Sequence, residues 1–401
     1  MSHFLGEQKL KFHINKTLVM IIAAMAVLSV VSIYGAKPLL EEANQGLYQQ
    51  QIFWYILSIG VVAFLIWFGV DRLFSGIKLF YWILIGFLAV LLIARALGTI
   101  GISISFIPPL NGTYGWYIFF GRLSFQPAEF MKIVLIIYSA LIINKHNEGK
   151  TEASFASDIQ LFLKIGKICI LPVLLIFFQP ETGIILVMAF SILIMLAVSG
   201  IRKEWLVLLV AFIIVAYLGI IYIYFNHPKL IEMFLGSNYK SGRIAGWLEP
   251  EKYVIGSGFH LYTAQLAYGT AGWFGHGFSS FVTKILEPQN DFIFALITQD
   301  FGFYGGIITM ILCLVMDFQL IRIAYRFPKT REKYLVAGVL GMLLYQQFQN
   351  IGMILGVMPI TGITLPFISY GGSSLISYMI PFAIIFNMSS ETINLGTHYI
   401  Q

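Results

Sequence analysis

Charge is what this chain has least of: 11% of its 401 residues are Asp, Glu, Lys or Arg, against 58% apolar side chains. With a mean hydropathy of +0.83, that shortage excludes a soluble protein of any class and leaves a polytopic membrane protein. Cysteine is nearly absent too. Cys169 and Cys313 both fall inside apolar runs, where neither a structural disulfide nor a metal site is expected, and they say nothing about redox compartment. Strand-length alternation is missing, which argues against an outer-membrane barrel. No internal repeat stands out, which weakens an inverted-repeat transporter reading without removing it. The first apolar run, Thr17 to about Gly35, has no convincing small-residue cleavage site and exceeds a signal-peptide core, so it is expected to stay as the first span.

Roughly 20 apolar residues cross a bilayer as helix, and about ten runs of that kind are present. They start near Thr17, Ile52, Ile77, Ala128, Leu161, Gly183, Trp205, Asp291, Tyr334 and Ser373. The expected fold is therefore an all-α polytopic membrane protein, one unit over residues 1–401. Basic residues of short loops stay preferentially on the cytoplasmic side. Placing the N-terminus inside puts Lys9, Lys11, Lys16, Arg72, Lys78, Lys145, Lys150, Arg202, Lys203, Arg322, Arg326, Lys329, Arg331 and Lys333 in the cytoplasm. The short outer loops then keep little beyond Lys37 and Arg122. Both termini are cytoplasmic on this reading, and the +6 net charge follows from the asymmetry and from attraction to anionic membrane lipid, with no nucleic acid needed. The one clear cytoplasmic linker, Lys145 to Asp158, is too short for a domain. Lys164 and Lys167 are expected to snorkel to the cytoplasmic face, and Arg95 and Arg122 to the outer one, with a phosphate contact as the alternative for the two arginines.

Between the seventh and eighth spans lies a polar loop, residues 226–290, which this topology places outside the membrane. It carries Lys229, Lys240, Arg243, Lys252 and Lys284 beside Glu232, Glu249, Glu251 and Glu287, and leads into Asp291. A loop of that length and chemistry is where an active site is expected. A second irregular stretch runs from about Gly356 to Gly372, where glycines and prolines cannot continue a helix. Unpaired backbone survives at membrane depth only when buried in protein or lining a wet cavity, so a re-entrant outer loop is expected there.

Several polar residues admit two readings. Asp291, after Pro288 and Asn290, suits the first turn of a span, where the helix dipole favours an acid and lowers its pKa, and position alone favours that capping role over work as a base. Glu129 and Lys132 are one turn apart in an apolar run, able to pair as a buried lock between helices, while charges inside a membrane also count by default as functional candidates. Arg243 is either solvated or a bidentate grip on phosphate. Trp116 is either an interfacial anchor or the wall of a substrate groove. Ser369, Tyr370, Ser373 and Ser374 have no His and Asp companions, so a hydrolase triad is unsupported and hydrogen bonding inside the re-entrant loop is their expected work.

The segment Asn350 to Ser374, with Thr361-Gly-Ile before Leu365-Pro366-Phe367 and Ser369-Tyr-Gly-Gly-Ser-Ser374, resembles the signature of the SEDS family, the RodA, FtsW and SpoVE proteins, and looks closer to RodA. Further motifs follow in register: Asn111-Gly112 with Trp116, Gln126-Pro-Ala-Glu129 with Lys132, Gln179-Pro180 with Thr182-Gly183, Arg243 with Pro250, Gly269 to Gly277, and Asp291-Phe-Ile-Phe-Ala295. The resemblance implies a peptidoglycan glycosyltransferase of the bacterial plasma membrane that polymerises lipid II and works with a class B penicillin-binding protein, a transpeptidase. The single span of that partner is expected to pack on outer-half positions of the ninth span such as Gln349 and Met353. It puts the catalytic acid at Asp291 and implies substrate contacts at Arg243, Trp116, Glu129, Lys132, Ser369 and Tyr370. One carboxylate suffices for such a reaction, because a pyrophosphate leaves as an anion without being protonated. A divalent cation, Mg2+ or Mn2+, is the one cofactor left open, with no ligand set readable and no organic cofactor expected.

Departures from the family pattern stand at Gln289-Asn290 in place of His-Thr, Gly115 in place of a basic residue, Glu181 in place of Asp, Thr263 in place of Gln and His276 in place of Lys. They suggest a divergent paralogue more than a dead one. The competing functions are a lipid II flippase and an inactive scaffold that activates its partner. Concentration of the motifs on the outer side favours the enzyme.

Overall fold

The computed structural model describes residues 12–110, 112–119, 123–150, 154–227, 230–231, 239–280 and 282–398. Lys9, Lys11, Asn111, Arg122, Lys229, Glu232 and the side chain of Lys240 lie outside what is described. Ten long helices form the body: α1 (Lys16–Gly35), α2 (Leu47–Phe68), α3 (Val70–Thr99), α4 (Pro127–Glu148), α5 (Phe155–Phe177), α6 (Thr182–Val198), α7 (Lys203–Asn226), α10 (Ile293–Arg326), α11 (Thr330–Ile354) and α12 (Gly372–His398). Two shorter ones, α8 (Tyr239–Leu248) and α9 (Phe259–Thr270), lie within the long loop. A small antiparallel hairpin, β1 (Tyr117–Phe119) with β2 (Leu123–Phe125), precedes α4.

Eight helices are long and apolar enough to cross a membrane by length and composition. The other two expected spans have their own reasons for missing that mark. Helix α6 is short, and α11 carries Gln346, Gln347, Gln349 and Asn350, all buried. Those two helices make the most extensive contact in the bundle. Small residues allow it: a β-carbon at Gly338 would lie 2.6 Å from Met195 Sδ, and one at Gly341 2.9 Å from Ile194 Cβ. Without a hydrophobic drive between helices in lipid, close backbone approach of this kind is what holds them. Glycine at these two positions is therefore a packing requirement.

Helix α4 is the central element, packed against α3, α5, α6, α11 and α12. Its start is set by Pro127 at the first turn, where a missing N–H costs nothing. Side-chain caps mark two other starts: Asn15 accepts from Leu18 N at 3.0 Å for α1, and Ser154 from Ser157 N at 3.2 Å for α5. Helix α10 kinks at Gly302, whose φ of 64° and ψ of −155° leave the helical region. The kink frees backbone groups, and the long loop takes them up: His276 N donates to Gln299 O, Phe303 N to Gly272 O and Tyr304 N to Trp273 O.

One expectation about the ninth span is corrected. If a partner helix docks on α11, Gln349 and Met353 are natural outer-half choices for its face from sequence position, yet both are buried inside the chain. Gln349 Nε2 donates to Pro359 O at 2.7 Å, and Met353 packs with Phe292, Phe294 and Ile285. The lipid-facing stripe of α11 runs instead through Leu344, Phe348 and Leu355. Arg95 also differs from simple snorkelling, since its guanidinium donates to the carbonyl of Phe178 at the end of α5.

Candidate active site

Between α11 and α12 the chain is irregular from Leu355 to Gly371 and largely buried from Ile363 onward. Its polar backbone is satisfied from several helices at once. Asn350 Nδ2 donates to Ile363 O at 2.8 Å, Trp247 Nε1 to Gly356 O at 2.9 Å and Tyr217 Oη to Val357 O at 2.9 Å. The Tyr55 hydroxyl donates to Phe367 O. Phe367 sits at a φ of 64°, unusual for a residue with a side chain. Its ring is gripped by Phe382 at 5.1 Å and Tyr378 at 5.5 Å, which holds the strained backbone in place. This irregular, largely buried segment coincides with the stretch where the glycines and prolines predict a re-entrant loop.

Asp291 lies against that loop. It precedes α10 by two residues, so it is not in the first turn, and Phe292 holds the cap position. A β-carbon on Gly362 would come within 3.3 Å of Asp291 Oδ2, so the carboxylate rests where the loop has no side chain. Asn350 Nδ2 also donates to Asp291 O at 2.7 Å, fixing the backbone to α11. The two preceding residues are tied the same way: Ser369 Oγ donates to Asn290 O at 2.7 Å and Tyr370 N to Gln289 O at 2.8 Å.

The electrostatics reverse the expectation from the helix dipole. Burial first, and then the negative charge of Glu287, push the Asp291 carboxyl from 3.8 up to about 6, with Arg243 on α8 opposing them. The dipole does not prevail because Asp291 stands outside the helix and has lost much of its water. Glu287 itself accepts from Gln289 Nε2 at 3.0 Å and from Asn290 Nδ2 at 2.8 Å. The two residues replacing His-Thr thus brace the neighbouring carboxylate. His260 on α9 stacks on Phe292 at 6.0 Å, and burial holds its imidazole below the usual range.

A second polar group continues the wall. A β-carbon on Gly183, at the start of α6, would lie 3.2 Å from Thr361 O, so α6 abuts the re-entrant loop beside Gly362. Just before it, Glu181 is buried and accepts from Gln126 Nε2 at 3.0 Å through one oxygen, while its other oxygen has no partner. That free oxygen fills the space a β-carbon on Gly115 would need. The glycine at 115 thus leaves the room that the acid at 181 takes. On α4, Glu129 and Lys132 pair at 2.6 Å, with Lys132 Nζ 4.4 Å above the Tyr378 ring and Ser377 Oγ 3.5 Å from Glu129. The pair belongs to one helix but docks on α12, and a buried ion pair this well supported can persist in an apolar setting.

Of the residues proposed from sequence, Asp291, Ser369 and Tyr370 lie at the re-entrant loop with Arg243 close enough to act on Asp291, while Glu129 and Lys132 lie on α4 with Glu181 close enough to feel the charge of Glu129. The hydroxyls of Ser369 and Tyr370 are engaged within the protein, the latter on Gln50 Oε1 at 2.7 Å. Trp116 is partly buried next to Gly115. Glu287, Glu181, His260 and Asn350 were not singled out as site residues. Glu287 had a readable signal, four residues ahead of Asp291 and on the same turn-forming stretch. Among the described residues no group of three or more His, Cys, Asp or Glu could hold a metal ion.

Fold and site define a polytopic membrane protein with a carboxylate, Asp291, held against a broken-helix loop at one end of the bundle. The chain belongs to the FtsW/RodA/SpoVE family, whose model, described as "Cell cycle protein", matches residues 13–394. It is 33% identical over 282 residues to the Bacillus subtilis stage V sporulation protein E, covering 70% of this chain and 72% of that one. It is 30% identical to the probable peptidoglycan glycosyltransferase FtsW of Lactococcus lactis over 74% of each chain, and 27% identical to the peptidoglycan glycosyltransferase MrdB of Escherichia coli over 95% of each. Among solved structures, one from a study of polymerization and crosslinking by a peptidoglycan synthase complex superposes with a TM-score of 0.73 at 24% identity, covering 95% of this chain and 99% of that one. Thermus thermophilus RodA superposes with a TM-score of 0.63 at 23% identity, covering 94% and 97%. The near full-length MrdB match is compatible with the RodA-like motifs.

Proposed function

We propose that the chain is a peptidoglycan glycosyltransferase that joins lipid II disaccharides into β-1,4 glycan, with Asp291 as its base. The observation that carries this is the Asp291 carboxyl, raised to about 6 by burial and by Glu287 and fixed against Gly362. A base works best with a pKa near the working pH. The acceptor's 4-hydroxyl gives its proton to Asp291 as its oxygen attacks the donor's anomeric carbon. The bond from that carbon to the pyrophosphate breaks, its electrons leave with the undecaprenyl pyrophosphate, and the α-linked donor becomes β-linked. Arg243 is the cation placed to hold the departing diphosphate. Among the described residues no donor set builds a metal site, so a divalent cation would ride on the pyrophosphate itself.

The orientation is part of the same proposal. Both termini face the cytoplasm, and Asp291, the long loop and the re-entrant loop face outward, which the basic residues of the short loops support. The proposed partner is a class B penicillin-binding protein whose single span packs on the stripe Leu344, Phe348 and Leu355 of α11, apolar and exposed. Purified protein given labelled lipid II, with and without a cognate transpeptidase, tests the activity. Glycan from the wild type and none from Asp291→Asn is the expected result. Polymer at wild-type yield from that variant removes Asp291 from the mechanism, and translocation of lipid II without polymer favours the flippase.

A further inference from the structure

At the end of the bundle away from Asp291, the start of α1 and the ends of α10 and α12 enclose a cavity of about 240 Å3. Lys16, Arg322 and Arg326 line it, together with Ser389 and the exposed side chains of Ile14 and Ile393. Its floor is rigidly made. Asn15 caps α1 and donates through Nδ2 to Ser389 Oγ at 2.8 Å, and Gln319 Nε2 reaches Asn15 Oδ1 at 3.4 Å. Among the described residues no carboxylate lines this cavity. Glu391, adjacent to Thr392 in the chain, turns to Lys329 at 3.1 Å and Asn387 Nδ2 at 2.8 Å.

The neighbouring cavity at the same end is a useful contrast. It too holds two cations, Lys329 and Arg331, but Glu148 and Glu332 line it with them, and Arg331 bonds Asp71 at 2.9 Å as well as Glu332. Cations gathered only by the general bias of short loops should meet carboxylates as these do. Three that converge on one concave, hydrogen-bonded floor without one leave a positive site in need of an anion.

We propose that this cavity binds the phosphate of an anionic phospholipid headgroup. Two guanidinium groups and an ammonium suit phosphate oxygens, and Lys16 and Thr17 at the start of α1 line the same space. The exposed Ile14 and Ile393 at the rim favour a lipid over a free anion, because acyl chains would cover them while the headgroup sits inward. The chemistry does not depend on the glycosyltransferase reading. Only the name of the leaflet, the inner one, rests on the proposed orientation.

The test uses full-length protein in vesicles of phosphatidylcholine with or without phosphatidylglycerol, with thermal stability and lipids retained after detergent extraction as readouts. Phosphatidylglycerol should raise the Tm and be retained selectively. Replacing Lys16, Arg322 and Arg326 by Gln should weaken retention by roughly fivefold for each charge removed, and the single variants Arg322→Gln and Arg326→Gln give the stepwise trend should the triple variant fold poorly. A control with Lys145, Lys203 and Lys333 replaced by Gln should keep the effect. Equal loss in control and cavity variants overturns the site in favour of diffuse surface charge. Stabilisation by inorganic phosphate in pure phosphatidylcholine, with nothing added by phosphatidylglycerol, overturns the lipid and makes the ligand a free anion.

Discussion

Helices α7 and α4 are opposite answers to the same solvent. Helix α7 has a mean hydropathy of 3.0 over its most apolar window, and none of that window is buried in the protein; for α4 the values are 1.6 and 72%. In water the more apolar helix would be the core. In a bilayer, lipid tails are as apolar as leucine, so apolarity draws a helix outward as readily as inward, and polar groups must find protein partners. The chemistry accordingly sits on the less apolar helices: Glu129 and Lys132 on α4, Asn350 on α11, Ser377 on α12. Helix α7 is tethered by a few points such as Tyr217 to Val357 O and Trp205 between Phe155 and Phe162.

The largest expected effect is at the carboxylate that the buried helices support. Asp291→Asn should lower polymerisation by about 10² to 10⁴-fold, the usual scale for a lost base. The wild-type rate should fall as pH drops through about 6, where Asp291 takes up its proton. The stability sign is opposite. A folded-state pKa raised from 3.8 to about 6 means the folded protein holds this proton more tightly than the unfolded one. Asp291 therefore costs stability above pH 6, and the cost fades as pH falls toward 4. Asp291→Asn should raise the Tm at neutral pH and lose that advantage in acid; a lower Tm at neutral pH would show that the carboxylate has a partner that the geometry does not reveal.

Next come the changes that strand a charge inside the bundle. Glu129→Gln leaves Lys132 buried and unpaired, and Lys132→Met does the same to Glu129, each at about 3–5 kcal/mol. The double variant should be less damaged than either single one in thermal unfolding. Strictly additive losses would exclude direct coupling. On α7 a lysine at Val210, exposed to lipid, should instead act on insertion, at about 2.5–3.5 kcal/mol, with no double-mutant relief from any internal acid.

A smaller effect is expected where Glu181 meets Gly115. Gly115→Ala drives a β-carbon into Glu181, for about 1–3 kcal/mol of overpacking, and Glu181→Asp should recover part of it by shortening the acid. No recovery in a two-by-two comparison of Tm would mean the two positions are not coupled.

How much of this was legible in sequence follows from the same contrast. Runs of leucine and isoleucine located the starts of α1, α4, α6, α7, α10 and α12 to within two residues and those of α2, α3, α5 and α11 to within four to seven, and the glycines and prolines around Pro359 located the broken loop, because both are local properties. The start of the third span was read at Ile77 and lies at Val70, since Gly69, at a φ of 98°, ends α2 there and the polar Asp71-Arg72 turn still forms helix. Which face of a helix is inside was not legible. Gln349 and Met353 pass as outer positions by depth alone, and only the contact of α11 with the loop it leads into shows them buried. The dipole argument at Asp291 failed for the same reason: desolvation depends on Glu287, Gly362 and Asn350 arriving together from separate parts of the chain.

The smallest expected effect makes the sharpest test of the comparison. Val215→Ala on α7 removes two methyl groups from a side chain that is 69% exposed and that meets lipid in this arrangement. Lipid fills the space left behind, so no cavity term arises, and the change in unfolding free energy should stay within about 0.5 kcal/mol, the usual range away from buried features. Polymerisation should be unchanged as well. If Val215→Ala left the purified chain as stable as before but weakened polymerisation or co-purification with a transpeptidase, the outer face of α7 would be covered by a partner. The contrast would then be between two kinds of protein contact, and the docking stripe on α11 would have to be extended or replaced by this one.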